Sequence, residues 1–310
     1  MKKLLSLARR FDGRQLPLVL MLVVVITALV SSPAFADGYR ILATGGVTNI
    51  EGSAGGGLTP WAVIAGYGTN EQSDVTGFYT NVTTPNFTLN DIGLNAGFDN
   101  RVEISAAQQR FGLGPTGDLA LMVGPNYELR QNIVGVKVRL FGDIVYDQDT
   151  WMPEVSVGAH YYDNTSELDG MSTVKLLGAK DNHGQDFYVA ATKLWIGGFF
   201  GRDLLANLTL RATKANQDGL LGFGGDLDNS YKVEPEVSLV VLLNDNIGVG
   251  GEYRRMPLEL TIATQRDWAD AFVAYFPNKN LSLTFGYATL GTVAGAPNQN
   301  GLYLSATASF

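Results

Sequence analysis

Beyond its first 36 residues the chain has no apolar run near the ~20 residues that a membrane-crossing helix needs; Leu239-Val240-Val241-Leu242-Leu243, for example, is only five long. Apolar side chains instead recur at every second position along most of its length. The closing residues show the pattern clearly. Leu302, Leu304, Ala306, Ala308 and Phe310 fall on one face, and Tyr303, Ser305, Thr307 and Ser309 on the other. A period of two is that of a strand with one apolar and one polar face. If the chain enters a membrane it does so as strands, and only a closed barrel then satisfies the backbone.

Residues 1–36 are expected to be a secretory signal. Lys2, Lys3, Arg9, Arg10 and Arg14 precede the apolar stretch Leu16 to Val30, and Ala34-Phe35-Ala36 closes it as a small-residue cleavage site. Cleavage after Ala36 leaves residues 37–310 as one barrel domain. Removing the five basic residues and Asp12 deepens the net charge from −8 to −12. Such a balance argues against nucleic acid, which needs clustered Lys and Arg. Cysteine is absent, which excludes disulfides, thiol catalysis and Cys-ligated metal. Glycine is abundant, 37 of 310 residues, as suits bent and closely approaching strands.

Alternating segments predict strands near 61–69, 74–82, 88–98, 102–111, 131–141, 153–162, 187–196, 203–214, 233–243, 247–255, 268–276, 281–289 and 301–310. That makes thirteen, and single-chain bacterial barrels have an even number. Shorter links, such as 99–101, 197–202, 244–246 and 277–280, alternate with longer ones at 112–130, 163–186, 215–232, 256–267 and 290–300. Short turns belong to the periplasmic end and long loops to the outside. Working back from Phe310 in the periplasm, an extra outward strand is required, and Tyr39 to Asn49 supplies it. The expectation is therefore an all-β, transmembrane, antiparallel up-and-down barrel of fourteen strands. The alternative is twelve, with 39–60 packed inside the lumen. Trp61, Tyr67, Tyr79, Tyr161, Tyr253, Tyr275, Phe285 and Tyr287 are expected to form aromatic girdles. Residues 167–178 read as a short outer-loop helix.

A terminal alternating strand ending in Phe310 resembles the closing strand of Gram-negative outer-membrane barrels, which implies a role for Phe310 in barrel closure and assembly. Longer stretches carry a second resemblance. Ala43-Thr44-Gly45-Gly46-Val47, Ile50-Glu51-Gly52-Ser53-Ala54-Gly55-Gly56-Gly57-Leu58, Leu210-Arg211-Ala212-Thr213-Lys214-Ala215-Asn216-Gln217 and Gly219-Leu220-Leu221-Gly222-Phe223-Gly224-Gly225-Asp226 are similar to segments of a proteobacterial outer-membrane family known only as a domain of unknown function. The resemblance implies a barrel in the outer membrane. Its partners would be lipid, lipopolysaccharide and the barrel assembly machinery, with small solutes as possible cargo. It brings no activity, cofactor or catalytic residues.

Charges expected to line the lumen are Glu103, Lys137, Arg139, Glu154, Lys193, Arg211, Glu234, Glu236, Glu252 and Arg254, with His160 among them. A mixed ring of this kind can define a water-filled channel or close it by mutual pairing. The first functional expectation is a passive pore for small solutes. A filled, non-conducting barrel is the alternative, and a hydrolase using His160 as base is a third. No Ser or Asp sits beside His160 at a recognisable spacing, so it reads as a lumen histidine in a hydrogen-bond network. Asp143, Asp147 and Asp149, or Asp226 and Asp228, lack the spacing of a calcium loop. One contact follows from register. If the apolar faces of 233–243 and 247–255 share a side, Leu243 faces Ile247 across a three-residue turn, with Asn246 free to go left-handed, and Glu236 meets Arg254 in the lumen.

Overall fold

The computed structural model describes residues 42–114, 123–145, 147, 149–264 and 266–310. The expected signal peptide and its cleavage site lie outside them. Twelve strands form the wall: β1 (Ser73–Thr83), β2 (Thr88–Phe98), β3 (Val102–Gly112), β4 (Glu128–Phe141), β5 (Glu154–Asn164), β6 (His183–Phe199), β7 (Arg202–Thr213), β8 (Lys232–Asn244), β9 (Ile247–Arg254), β10 (Trp268–Asn278), β11 (Leu281–Thr289) and β12 (Asn300–Ser309). Each pairs antiparallel with its neighbours in sequence, and β12 pairs back onto β1, so the barrel is closed and up-and-down. At the seam the Phe310 amide donates to the Val75 carbonyl at 2.9 Å, and the Val75 amide returns the bond at 3.0 Å.

The outward register carries an apolar belt. Exposed Val75, Leu94, Ile104, Val134, Val157, Val189, Leu208, Leu239, Val249, Val273, Phe285 and Leu302 contribute one side chain from every strand. At the long-loop end the outer face of β3 and β4 turns polar, where Gln108 bonds Asn132 and Arg130 pairs with Glu128. Of the aromatics expected in the girdle, Tyr161, Tyr253, Tyr275 and Tyr287 are exposed on the outer face, and Phe285 lies in the belt, opposite Val273. Tyr79 keeps the outward register opposite Ile92, with its hydroxyl donating to Asn90 Oδ1 at 2.7 Å.

Twelve strands, not fourteen, build the wall. Residues 42–69 run through the lumen instead, and nearly all of 44–67 is buried. The expected strand at 61–69 is thus corrected, and so is the strand expected from Tyr39, of which residues 42–49 are described. Within 42–69 the only described ladder joins Val47–Thr48 to Ala54–Gly55. The error has a physical source. The segment is extended, and Trp61, Val63 and Ala65 alternate into an apolar cluster with Leu194, Leu205, Val240 and Phe272. Its backbone, however, is satisfied by wall side chains. The Ala62 amide donates to Thr192 Oγ1 at 2.8 Å, and Ser156 Oγ donates to the Ala62 carbonyl at 2.5 Å. Period two reports extension, not the identity of the partner. Trp61 and Tyr67 accordingly leave the girdle for the interior.

The lumen is therefore layered. At the short-turn end lies the cluster around Trp61 and Phe272. At the long-loop end, Ile50 and Leu58 of the segment meet Leu220, Leu221, Leu260, Val293 and Phe111 from the loops and strand ends. Charged side chains fill the layer between. The helix expected over 167–178 is shorter: one two-residue ladder, joining Glu167–Leu168 to Met171–Ser172, precedes a single turn, Thr173–Leu176.

Candidate functional site

Glu51 occupies the middle layer because the chain around it makes a tight turn. Asn49 Oδ1 accepts from the amides of Glu51 and Ser53 at 3.1 and 3.0 Å, and Gly52 takes a left-handed φ of 91°. The turn aims the Glu51 carboxylate at the wall. Arg211 of β7 holds it bidentately, Nη1 to Oε1 at 2.5 Å and Nη2 to Oε2 at 2.7 Å. Arg254 of β9 reaches Oε1 at 3.1 Å, and the Tyr162 hydroxyl of β5 donates to the same oxygen at 2.6 Å. Two planar guanidinium groups with fixed donor forks suit this geometry.

The arginines are shared with other acids. Arg211 Nε meets Glu236 Oε1 at 2.5 Å and Nη1 lies 3.4 Å from Asp186. Arg254 meets Asp218 of the β7–β8 loop at 2.6 Å and Glu236 at 3.3 Å. All these groups are buried. A buried ion pair of this kind contributes modest net stability, yet losing one member leaves an uncompensated charge. Burial raises the Asp218 carboxyl above the usual carboxylate range, against the pull of Arg254.

The expected Glu236–Arg254 pair thus exists, with its register, and Ser238 faces Glu252 as expected. Two details differ. Asn244, not Leu243, faces Ile247 across a register shift, so the turn is tighter than three residues. Asn246 is not among the left-handed residues. The pair is also buried, with Arg254 in contact with Glu51.

Further anchors hold the segment along its length. Glu103 of β3 accepts from the amides of Ala54 at 3.0 Å and Ala65 at 2.9 Å. Lys137 of β4 donates to the Ala54 and Val63 carbonyls at 2.8 and 2.9 Å, and lies 3.2 Å from Glu103. Glu252 accepts from the Leu58 amide at 2.7 Å and the Thr59 hydroxyl at 2.6 Å. The glycine run makes this approach possible: a Cβ on Gly56 would overlap the Glu252 carboxylate. Pro60 is held through its carbonyl by Thr209 Oγ1 at 2.7 Å.

The other expected lumen residues fall as follows. Arg139 and Glu154 face inward at the short-turn rim, where Arg139 bonds Asp143 at 2.6 Å and Glu154 accepts from the Ile144 amide at 3.1 Å. Glu234 faces inward at the opposite rim and pairs with Arg255 at 3.2 Å. Lys193 is a correction. Thr192 and Leu194 take the lumen side of β6, so Lys193 faces outward, and its ammonium donates to the carbonyls of Asp147 at 2.8 Å and Met152 at 3.1 Å. His160 is buried beside Tyr188, with ring centroids 5.2 Å apart, and its Nδ1 lies 3.8 Å from Glu51 Oε2. Neither ring nitrogen has a hydrogen-bond partner among the described residues, so the expected network does not include it. Asp143 and Asp228 are committed to Arg139 and Lys232, and Asp226 accepts from the Thr261 amide. No group of three or more His, Asp or Glu side chains is placed to hold a metal among the described residues.

Glu51, Asp218, Asp186 and Tyr162 complete the cluster and were missed as its members. One signal was available. Glu51 is the only charged residue between Arg40 and Glu71, and a lone carboxylate in an apolar, glycine-rich stretch needs a partner elsewhere.

The geometry defines a closed twelve-stranded barrel whose lumen is filled by its own preceding segment, clamped through one carboxylate. The chain belongs to the family of proteins of unknown function DUF3034, whose model matches residues 44–307. No curated protein matches the sequence. Solved structures similar in shape include the KdgM porin, 10% identical with a TM-score of 0.45, covering 76% of this chain and 99% of that one. They also include Omp33 of Acinetobacter baumannii, 11% identical with a TM-score of 0.43, covering 77% and 98%. The outer membrane phospholipase A of Escherichia coli is 8% identical with a TM-score of 0.37, covering 77% and 91%.

Proposed function

We propose that this protein is a Gram-negative outer-membrane barrel, exported with loss of residues 1–36, that does not conduct at rest. The closed wall and its apolar belt support a lipid setting, with the short turns toward the periplasm and the long loops outward. Lipopolysaccharide, phospholipid and the assembly machinery are its partners in this reading; its acidity disfavours nucleic acid. It is not an enzyme: His160, the one base considered, is packed among Tyr162, Tyr188 and Glu51.

The observation that carries the proposal is the clamp on Glu51, made from β5, β7 and β9 at once. Wild-type protein in a planar bilayer should give no conductance steps. Steady steps from the wild type would overturn the closed reading. A second reading keeps the small-solute channel, with 42–69 as a removable gate. It is favoured by the segment's attachment to the wall through side chains in place of strand pairing. Deleting 42–69 should then open a steady conductance.

A further inference from the structure

The two ends of the barrel finish differently. Most short turns are polar: Asp99-Asn100, Asp245-Asn246 and Lys279-Asn280. The β6–β7 turn is not. Strand β6 continues past Thr192, whose partner Glu154 is the last that β5 offers, through Phe199. Its outer part is exposed and apolar at Trp195, Ile196, Phe199 and Phe200. A register shift lies between Trp195 and Phe199, where the Gly197 amide donates to Asp203 Oδ1 at 2.9 Å, and the Phe199 and Phe200 rings meet edge to face with centroids 4.8 Å apart. Phe200 is 92% exposed, and its φ of 49° is left-handed. That backbone region favours glycine or asparagine and strains a bulky aromatic. The turn itself gains nothing from phenylalanine there.

A neighbour extends the patch. Lys193 bonds the Asp147 and Met152 carbonyls and so fixes the β4–β5 link beside this hairpin. Trp151 in that link is 86% exposed, and Met152 is also exposed. Trp195 shares its face of β6 with Phe187 and Val189 of the apolar belt; Ala191 and Lys193 lie between them, the lysine with its ammonium turned to the link carbonyls. Arg202, exposed at the turn, adds the cation that an interfacial site favours beside aromatic rings.

We propose that the β6–β7 tip, with Trp151, inserts into the headgroup–glycerol region of the periplasmic phospholipid leaflet, so that the barrel is seated lower on this side than at the β10–β11 turn. This inference rests on the membrane reading above. The face shared with the lipid-facing belt selects phospholipid as the occupant over a soluble partner.

Because the chain has no cysteine, single labels test the seating cleanly. Phe200→Cys, Trp151→Cys, Asn280→Cys and Leu239→Cys are each labelled with an environment-sensitive fluorophore. The full barrel is reconstituted in phosphatidylethanolamine–phosphatidylglycerol vesicles. Shallow nitroxide lipids should quench labels 200 and 151 about as strongly as label 239, while label 280 stays open to aqueous iodide. Quenching at 239 with iodide access at 200 and 151 would overturn the inference and leave the membrane reading standing. Protection at 200 from both quenchers would also overturn it, in favour of a second copy or a protein partner. Loss of lipid quenching at 239 would remove the membrane reading itself, and the inference with it.

Discussion

Replacing Glu51 by glutamine tests the clamp with almost no change of shape. The carboxylate accepts two bonds from Arg211 and one each from Arg254, Tyr162 and the Asn49 side-chain amide. A glutamine keeps one acceptor and turns its amide hydrogens toward the other guanidinium donor. Breaking a buried ion pair costs about 3–5 kcal/mol. Neither arginine is left bare, because Glu236, Asp186 and Asp218 remain in contact. The loss therefore belongs at the lower end, ~3 kcal/mol, which is roughly a hundredfold in an equilibrium. It should fall on seating of the segment, since no wall ladder changes. Hydrogen exchange in micelles reads this directly at the amides of Ala54, Leu58, Ala62 and Ala65, each bonded to a wall side chain. Those amides should exchange about a hundred times faster while the wall strands stay protected. Unchanged exchange at the four sites, or equal acceleration along β7 and β9, would refute the idea of a separately seated segment.

Lys137→Met should cost about 3–5 kcal/mol by stranding buried Glu103, and adding Glu103→Gln should recover part of it; a double-mutant cycle on unfolding midpoints checks this. Deleting Phe310 removes both backbone bonds to Val75 and should lower the amount of assembled barrel in cells, so normal outer-membrane levels would count against a role in closure. In the β7–β8 loop, hydrogen bonds from Lys232 and Ser230 hold Asp228 well below the usual carboxylate range. A depressed carboxylate contributes stability that is present above its unfolded value, near ~4, and lost as pH falls through the folded one. The loop should therefore be unchanged between about pH 5 and 7, and Lys232→Ala should raise the Asp228 titration seen by carbon NMR.

The wall was legible because an apolar outer face and a polar inner face give most strands a period of two. Even the β8–β9 register could be read from Glu236 as far as Leu242, short of the shift at the turn, since both strands have one clear apolar face. Residues 42–69 defeated the same logic, because an extended segment inside a barrel alternates too. Lys193 was misplaced by its charge. Phe187, Val189 and Trp195 share its parity and face outward, and that parity was the better guide. Near the rim a lysine can reach loop carbonyls from the outer face, so charge alone does not fix direction. The Glu51 cluster could not be assembled from sequence, since its members come from five strands, a loop and the segment.

The distances along the chain inside that cluster have a consequence for synthesis and folding. Glu51 is 160 residues from Arg211 and 203 from Arg254. Contacts this remote form slowly, because the intervening chain must be ordered first. The earliest part of the described chain is thus among the last to find its partners. Until it does, Arg211, Arg254 and Lys137 face a hollow that water must fill. The nascent wall then resembles a mould awaiting its casting, and a barrel that sealed β12 to β1 too soon would trap the segment outside.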